Sequence, residues 1–300
     1  FYALGAIKNV GFEAITHVVK ERKKNGKFKS ISDFINRVNP KNINKLQLEG
    51  LVKAGVFDSI FINRKVLYDN IRRQVALVED LGDTDLLSMK DSPYEDREPF
   101  YRSAFEQLDT LLYTRPPKDF ELQPIFDEPL YHWEQDYFLE HYVGTHLGKD
   151  PEALRDDPAL AALRKRLGAT APHMIHRDFQ SQNLLLKDGK VFIIDFQGLR
   201  MGRQEYDLAS LLYDPYMNHS KEDRDKMLEL WADVTEDAPI EPLLRDCATQ
   251  RLMQVLGAFA NLGHNSDLPW YLEQIPAAEA FLKEVIDDTP LEDSLGPILD

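Results

Sequence analysis

Cysteine is almost missing from this 300-residue chain: Cys247 stands alone, which excludes an internal disulfide framework and fits a reducing cytoplasm. A lone thiol of this kind reads as a small buried apolar side chain. No run of 18 apolar residues is present, so no membrane-spanning helix and no membrane partner are expected. The opening FYALGAIKNV has neither the basic start nor the long apolar centre of an export signal. Because the first residue is Phe1 and not Met, the reading frame is expected to begin upstream. What is present is ample for folding: a hydrophobic content of 43% supports one large core or two smaller ones.

The net charge of −15 conceals a division. Residues 1–73 carry 15 Lys and Arg against 6 Asp and Glu, and the remainder carries 21 against 45. A segment at +9 followed by one at −24 predicts different partners, a polyanion for the first and no nucleic acid for the second. An ordinary basic face on an acidic protein is the other reading of the same numbers.

Along the chain, residues 2–67 read as short helices punctuated by glycine. Phe12, Ile15, Val18 and Val19 recur at helical spacing, and Asn25-Gly26 stops that helix. Ser30 and Ser32 can cap a turn carrying Phe34, Ile35 and Val38, and a third helix runs from Asn44 to Ala54. After Asn70 the character changes. Val75–Val78 reads as a buried strand running into the acidic turn Glu79–Asp83. Helical faces follow at Tyr101, Phe105, Leu108 and Leu112, and at Leu130, Trp133 and Tyr137. Asp157-Pro158 opens another helix through Leu160, Leu163 and Leu167. Beyond Asp83, strand is expected only between 173 and 195, where Leu184–Leu186 and Val191–Ile194 flank Asp188-Gly189 as a hairpin. Helices return through Leu252, Val255, Leu256 and Phe259, then through Ile275, Phe281, Leu282 and Val285. The expected fold class is therefore mostly α, with a small β component.

The chemistry concentrates in HRDFQSQN, residues 176–183, and IDFQG, residues 194–198. Pairing Leu186 with Val191 places Asn183 opposite Ile194 and beside Asp195, within reach of one shared cation. An Asn oxygen and an Asp carboxylate are hard donors of the kind Mg²⁺ takes when it also holds nucleotide phosphates. Asp178, on the loop entering the hairpin, can accept the proton of an attacking hydroxyl, an arrangement suited to phosphoryl transfer. These residues resemble the catalytic loop and metal motif of the aminoglycoside phosphotransferase family, which shares the protein-kinase-like fold. GLRMGRQEYDLASLLYDPY and QRLMQVLGAFANLG are similar to bacterial sugar kinases of the N-acetylmuramate/N-acetylglucosamine type, and the resemblance spans about residues 75–286. It implies an ATP- and Mg²⁺-dependent kinase with Asp178 as base, Asn183 and Asp195 holding Mg²⁺, and His176 supporting the loop. Asp207 would brace that loop, although an ordinary N-cap is a second reading. Val78 and Glu79 would be the hinge meeting adenine, unless Glu79–Asp83 is simply a solvated turn. The sugar acceptor is assigned only to the helical segment Trp133–Tyr142.

That family also implies a preceding lobe with a phosphate-covering loop and a strand lysine, and neither is legible before Val75. Gly5, Gly11, Gly26, Gly50 and Gly55 lack the G-x-G-x-x-G spacing, and Lys53 sits in a helical LVKAG, not on a strand. Instead, ALGAIKNVG followed by an amphipathic helix reads as a helix-hairpin-helix, in which Gly11 permits the turn and outward amides can bind phosphate. A solvated lysine-rich hairpin is the alternative from residue chemistry alone. YALGAIKNVG, NGKFKSISDFINRV and NKLQLEGLVKAGVFDSI resemble the helix-hairpin-helix region of the bacterial DNA polymerase III alpha subunit over about residues 1–70. The resemblance implies contact with duplex DNA backbone through Lys8, Asn9, Gly11, Lys23 and Lys24. The expectation is thus two unrelated pieces: a DNA-binding segment over 1–73, and over 74–300 a hinge and C-lobe with a hairpin at the active site and no N-lobe. Such a chain is a natural fusion or, as the cut through both parts favours, a chimera.

Overall fold

The computed structural model describes residues 12–30, 33–34, 37–38, 50–54, 56–58, 81–116, 122–169, 173–266 and 268–299, with the backbone alone at 12–15 and 17. The expected strand Val75–Val78, the hinge residues Val78 and Glu79, and Lys8, Asn9 and Gly11 lie outside them. The chain divides into two compact units, residues 1–80 and residues 81–300.

In the first unit α1 (Phe12–Asn25) ends where Gly26 adopts a left-handed φ of 82°, a conformation glycine enters without steric cost. Ser30 Oγ accepts from the Asp33 amide at 3.0 Å, the expected cap. Phe34, Val38, Leu51, Val52 and Phe57 are buried, with the Phe34 ring edge-on to Phe28 and Phe57 at 5.0 and 4.9 Å. Arg37 ties the unit together: it lies 4.4 Å over the Phe28 ring and donates to Glu21, Asp33 and the Gly26 carbonyl.

The second unit is built on helices. They are α2 (Tyr94–Tyr113), α3 (Glu128–Phe138), α4 (Glu152–Arg155), α5 (Pro158–Gly168), α6 (Gln204–Leu212), α7 (Lys221–Thr235), α8 (Glu241–Asn265), α9 (Ile275–Ile286) and α10 (Pro290–Leu299). A wider π-helical turn, Leu139–His146, continues α3. The stripe Tyr101, Phe105, Leu108 and Leu112 is buried as its spacing predicts, and Phe105 meets Trp231 of α7 edge-on at 5.3 Å. Asp157 caps α5 by accepting from the Ala159 and Leu160 amides. α8 runs through the core; its Gly257 lets α3 approach so closely that a Cβ there would lie 2.9 Å from the Tyr137 ring.

One sequence expectation is corrected. The buried face of α3 carries Tyr131, Glu134, Gln135 and Phe138, whereas Trp133 is 55% exposed. An apolar count points to Trp133, but the polar pair Glu134-Gln135 faces inward because it is hydrogen-bonded there.

Among the described residues four short strands form two antiparallel pairs: β1 (His173–Ile175) with β4 (Arg200–Gly202), and β2 (Leu184–Lys187) with β3 (Lys190–Ile193). Leu186 faces Val191 in the second pair, and Asp188 and Gly189, at φ 52° and 73°, make its tight turn. β4 extends strand structure beyond the expected limit of residue 195. The preceding segment joins this hairpin where Leu186 donates to the Thr84 carbonyl at 2.8 Å. Among the described residues no helix is long and apolar enough to cross a membrane.

Candidate active site

The loop leaving β1 cannot relax freely, because Arg177 holds a left-handed φ of 78° that costs energy for any residue with a Cβ. What holds it is Asp207 on α6. One carboxylate oxygen accepts from the His176 amide at 2.6 Å and the other from the Arg177 amide at 2.8 Å. Asp207 is fully buried, and burial pushes its carboxyl up to about 6 against the pull of His176 and the two amides. It does not cap α6, since the residue at that cap is Arg203, so the N-cap reading is set aside. The imidazole of His176, itself buried, meets the Ile194 carbonyl at 2.9 Å through Nε2 and fastens the loop to the end of β3.

Asp178 follows directly. Arg177 Nη1 contacts both its oxygens, at 2.9 and 2.8 Å, and Arg251 Nη1 from α8 contacts Oδ1 at 3.1 Å. Burial works to raise this carboxyl, but the Arg251 and Arg177 guanidiniums outweigh it and hold it below the ordinary range. It is therefore an ionised hydrogen-bond acceptor at neutral pH. Asn183 Nδ2 donates to the Asp178 carbonyl at 2.8 Å, which turns its amide oxygen away from that carbonyl. The Asn183 carbonyl accepts from Ile194 at 2.9 Å, continuing the hairpin by one rung and bringing Asp195 alongside. Asp195 is exposed and sits in the left-handed region at φ 64°, at the start of the turn Phe196–Gly198. Gly198 closes the arrangement. A Cβ there would lie 3.3 Å from the His176 carbonyl and 3.5 Å from Asp178 Oδ2.

Asn183 and Asp195 lie at the facing ends of the hairpin, and each carries a hard side-chain oxygen. Among the described residues no group of three or more His, Cys, Asp or Glu could hold a metal. Hard oxygens of this kind suit Mg²⁺, which keeps several waters and takes further ligands from substrate phosphates.

The structure thus brings His176, Asp178, Asn183, Asp195 and Asp207 together. Lys23 and Lys24 belong to the other unit, exposed in the last turn of α1. Sequence reasoning missed Glu134, Gln250 and Arg251. Buried Glu134 accepts from Arg177 at 3.2 Å and from Gln250 at 3.3 Å, and Arg251 also donates to Gln180 and Gln254. A usable signal existed: each is a polar residue set inside an apolar helical stripe, and such a residue is tolerated only with a partner.

Comparison with known proteins gives two matches that overlap at residues 63–67. Residues 1–67 match a helix-hairpin-helix motif model. Over 63 residues the chain is 51% identical to the DNA polymerase III subunit alpha of Caulobacter vibrioides, covering 21% of this chain and 6% of that protein. The chain spans a tenth or less of the length of the polymerase subunits it matches. It is 25% identical over 248 residues to the N-acetylmuramate/N-acetylglucosamine kinase of Pseudomonas aeruginosa, covering 78% of this chain and 72% of that one. A solved choline/ethanolamine kinase family protein from Mesorhizobium loti overlaps 73% of this chain and 68% of its own, at 15% identity and a TM-score of 0.48. Residues 63–245, more than half of the chain, match the model of the phosphotransferase enzyme family, and the chain belongs to that family.

Proposed function

We propose that residues 74–300 are the hinge and catalytic lobe of an ATP- and Mg²⁺-dependent phosphotransferase acting on an amino sugar, and that residues 1–73 are a segment that binds duplex DNA backbone. The observation that carries the first part is the junction of Asp178, Asn183 and Asp195 across one hairpin, clamped by Asp207 and His176. In this reading Asp178 orients the acceptor hydroxyl and takes its proton as the oxygen bonds to the terminal phosphorus and the bond to the departing diphosphate breaks. Its depressed pKa favours orientation over strong proton abstraction. When bound, Mg²⁺ neutralises phosphate charge, and Asn183 and Asp195 are the oxygens that would hold it. Val78 and Glu79 would meet the adenine. The amino sugar is supported by the named activity of the Pseudomonas relative.

No lysine on a strand and no phosphate-covering glycine loop is legible in residues 1–73, and Lys53 lies in the helical turn 50–53. The nucleotide grip is therefore weak, and the chain reads as a chimera of a polymerase-like piece with an incomplete kinase. A second reading has the first unit as the working part, with Lys8, Asn9, Gly11, Lys23 and Lys24 on DNA and the kinase-like unit as passenger; the 51% identity of that piece favours it. Labelled ATP at millimolar concentration, offered with Mg²⁺ and a panel of amino sugars, tests the first. Slow transfer that disappears in Asp195→Asn is the expected result, and transfer to no sugar in the panel would remove the amino-sugar assignment.

A further inference from the structure

One exposed aromatic surface, at Trp270, is tied through Tyr216 to the loop and the helix that hold Asp178. The 3₁₀ turn Pro269–Gln274 folds back onto α8, and it does so at Gly263, where a Cβ would fall 2.3 Å from the Leu272 side chain. A Cβ at residue 263 would force Leu272 to shift, so glycine there lets the turn that carries Trp270 sit close on α8. Trp270 is 42% exposed yet ordered on one side, because its ring lies flat on buried Tyr216 at 5.3 Å and 9°. Tyr216 is anchored in turn to the loop after β1: Asp214 accepts from the Tyr216 amide at 2.9 Å and from the Ser181 amide at 2.8 Å. Arg251 and Gln254, one turn apart on α8, hydrogen-bond each other at 2.7 Å while Arg251 reaches Asp178. Tyr216 also packs its ring against Phe259 of α8 at 5.4 Å, five residues on from Gln254. The aromatic face is thus tied to the same loop and the same helix as these polar groups and the acceptor-orienting carboxylate.

We propose that Trp270, backed by Tyr216, is the platform on which the acceptor saccharide ring stacks its C–H face, with its hydroxyls turned toward Gln254 and Asp178. This deepens the amino-sugar reading above and moves the acceptor from the Trp133–Tyr142 segment to this turn. An apolar face opposed by a few convergent polar groups is the chemistry a pyranose requires. The stack with Tyr216 limits Trp270 to one orientation, so little further freedom is lost on binding.

The test is saturation-transfer NMR on the full chain with N-acetylglucosamine as probe and adenosine as a competing aromatic ligand. The expected result is transfer to the sugar ring protons, a dissociation constant about tenfold weaker in Trp270→Ala, and near-native binding in Trp270→Phe and Trp133→Ala. Thermal midpoints of the two Trp270 variants separate lost stacking from lost folding. Unchanged sugar binding in Trp270→Ala, absence of transfer in the unmodified chain, or adenosine taking this site in place of the sugar would overturn the platform. The two readings fail separately. Sugar binding that depends on Trp270 without phosphate transfer leaves the platform and removes the kinase, while transfer indifferent to Trp270 does the reverse.

Discussion

Positive charge is placed differently in the two units. In residues 12–58, Arg37 is drawn in over Phe28 and onto Glu21 and Asp33, while Lys20, Lys23, Lys24, Lys27 and Lys29 stay exposed. In residues 81–300, Arg177 and Arg251 converge on the one carboxylate of Asp178. Outward charge on a small packed unit makes a field that a polyanion can read without the unit changing shape. Inward charge, by contrast, fixes the position and protonation of one chemical group. The lesson is that net charge characterises a unit whose charges point outward and says almost nothing about the second, where Glu134, Asp178 and Asp207 each have distinct partners.

The comparison breaks most sharply at Asp178. At millimolar ATP, Asp178→Asn is expected to lower any sugar phosphorylation by about 10²- to 10⁴-fold, while Lys23→Ala with Lys24→Ala leaves that rate unchanged; a discontinuous radiolabel assay reads both. The counterpart lies in the first unit. Residues 1–73 alone should bind duplex DNA without sequence preference and lose about 10³-fold in affinity between 50 and 200 mM salt if some six phosphates are neutralised. The whole chain should bind more weakly because of its acidic remainder, and fluorescence anisotropy showing a flat salt response would dissolve the contrast.

Smaller effects sharpen the picture of inward charge. Asp207→Ala leaves the buried His176 and Arg177 amides without acceptors, and chemical denaturation should report a loss of about 2–4 kcal/mol. The wild-type carboxyl also has a folded-state value of about 6, above its ordinary 3.8. Its contribution is therefore full below the lower value and lost as pH rises through the higher, a dependence the alanine variant should lack. His219 runs the other way. Burial first and then Arg97, whose Nη1 lies 3.4 Å from Nδ1, depress it from 6.5 to about 3. Its stability contribution is present above 6.5 and is lost as pH falls toward 3, so His219→Gln should flatten the acid side of the melting curve by a few kcal/mol, on the order of what such a shift is worth.

Much of this was legible in the sequence, and the exceptions share a cause. The hairpin could be read because Asp188-Gly189 dictates a tight turn and the flanking apolar runs fix the register, which is why the residues alone set Asn183 opposite Ile194. The α5 cap could be read because Asp157-Pro158 is a local signal. The inner face of α3 could not. Glu134 faces inward because Arg177 and Gln250 meet it, and those partners lie 43 and 116 residues away. Arg251 reaches Asp178 across 73 residues for the same reason. Polar burial depends on partners that only tertiary structure supplies, so a local window can flag a polar residue in an apolar stripe but cannot name its partner. β4, three residues long, owes its pairing to β1 and carries too little pattern of its own.

The proposed function turns on a catalytic loop assembled around Asp178, Asn183 and Asp195 and on a weak grip on nucleotide. Calorimetry of the 300-residue chain with ATP and Mg²⁺ tests it most directly. The expected result is binding weaker than about 1 mM, since neither a strand lysine nor a phosphate-covering glycine loop, which supply most of the grip, is legible in residues 1–73. Micromolar affinity, lost in Asp195→Asn, would show a complete nucleotide site and contradict it.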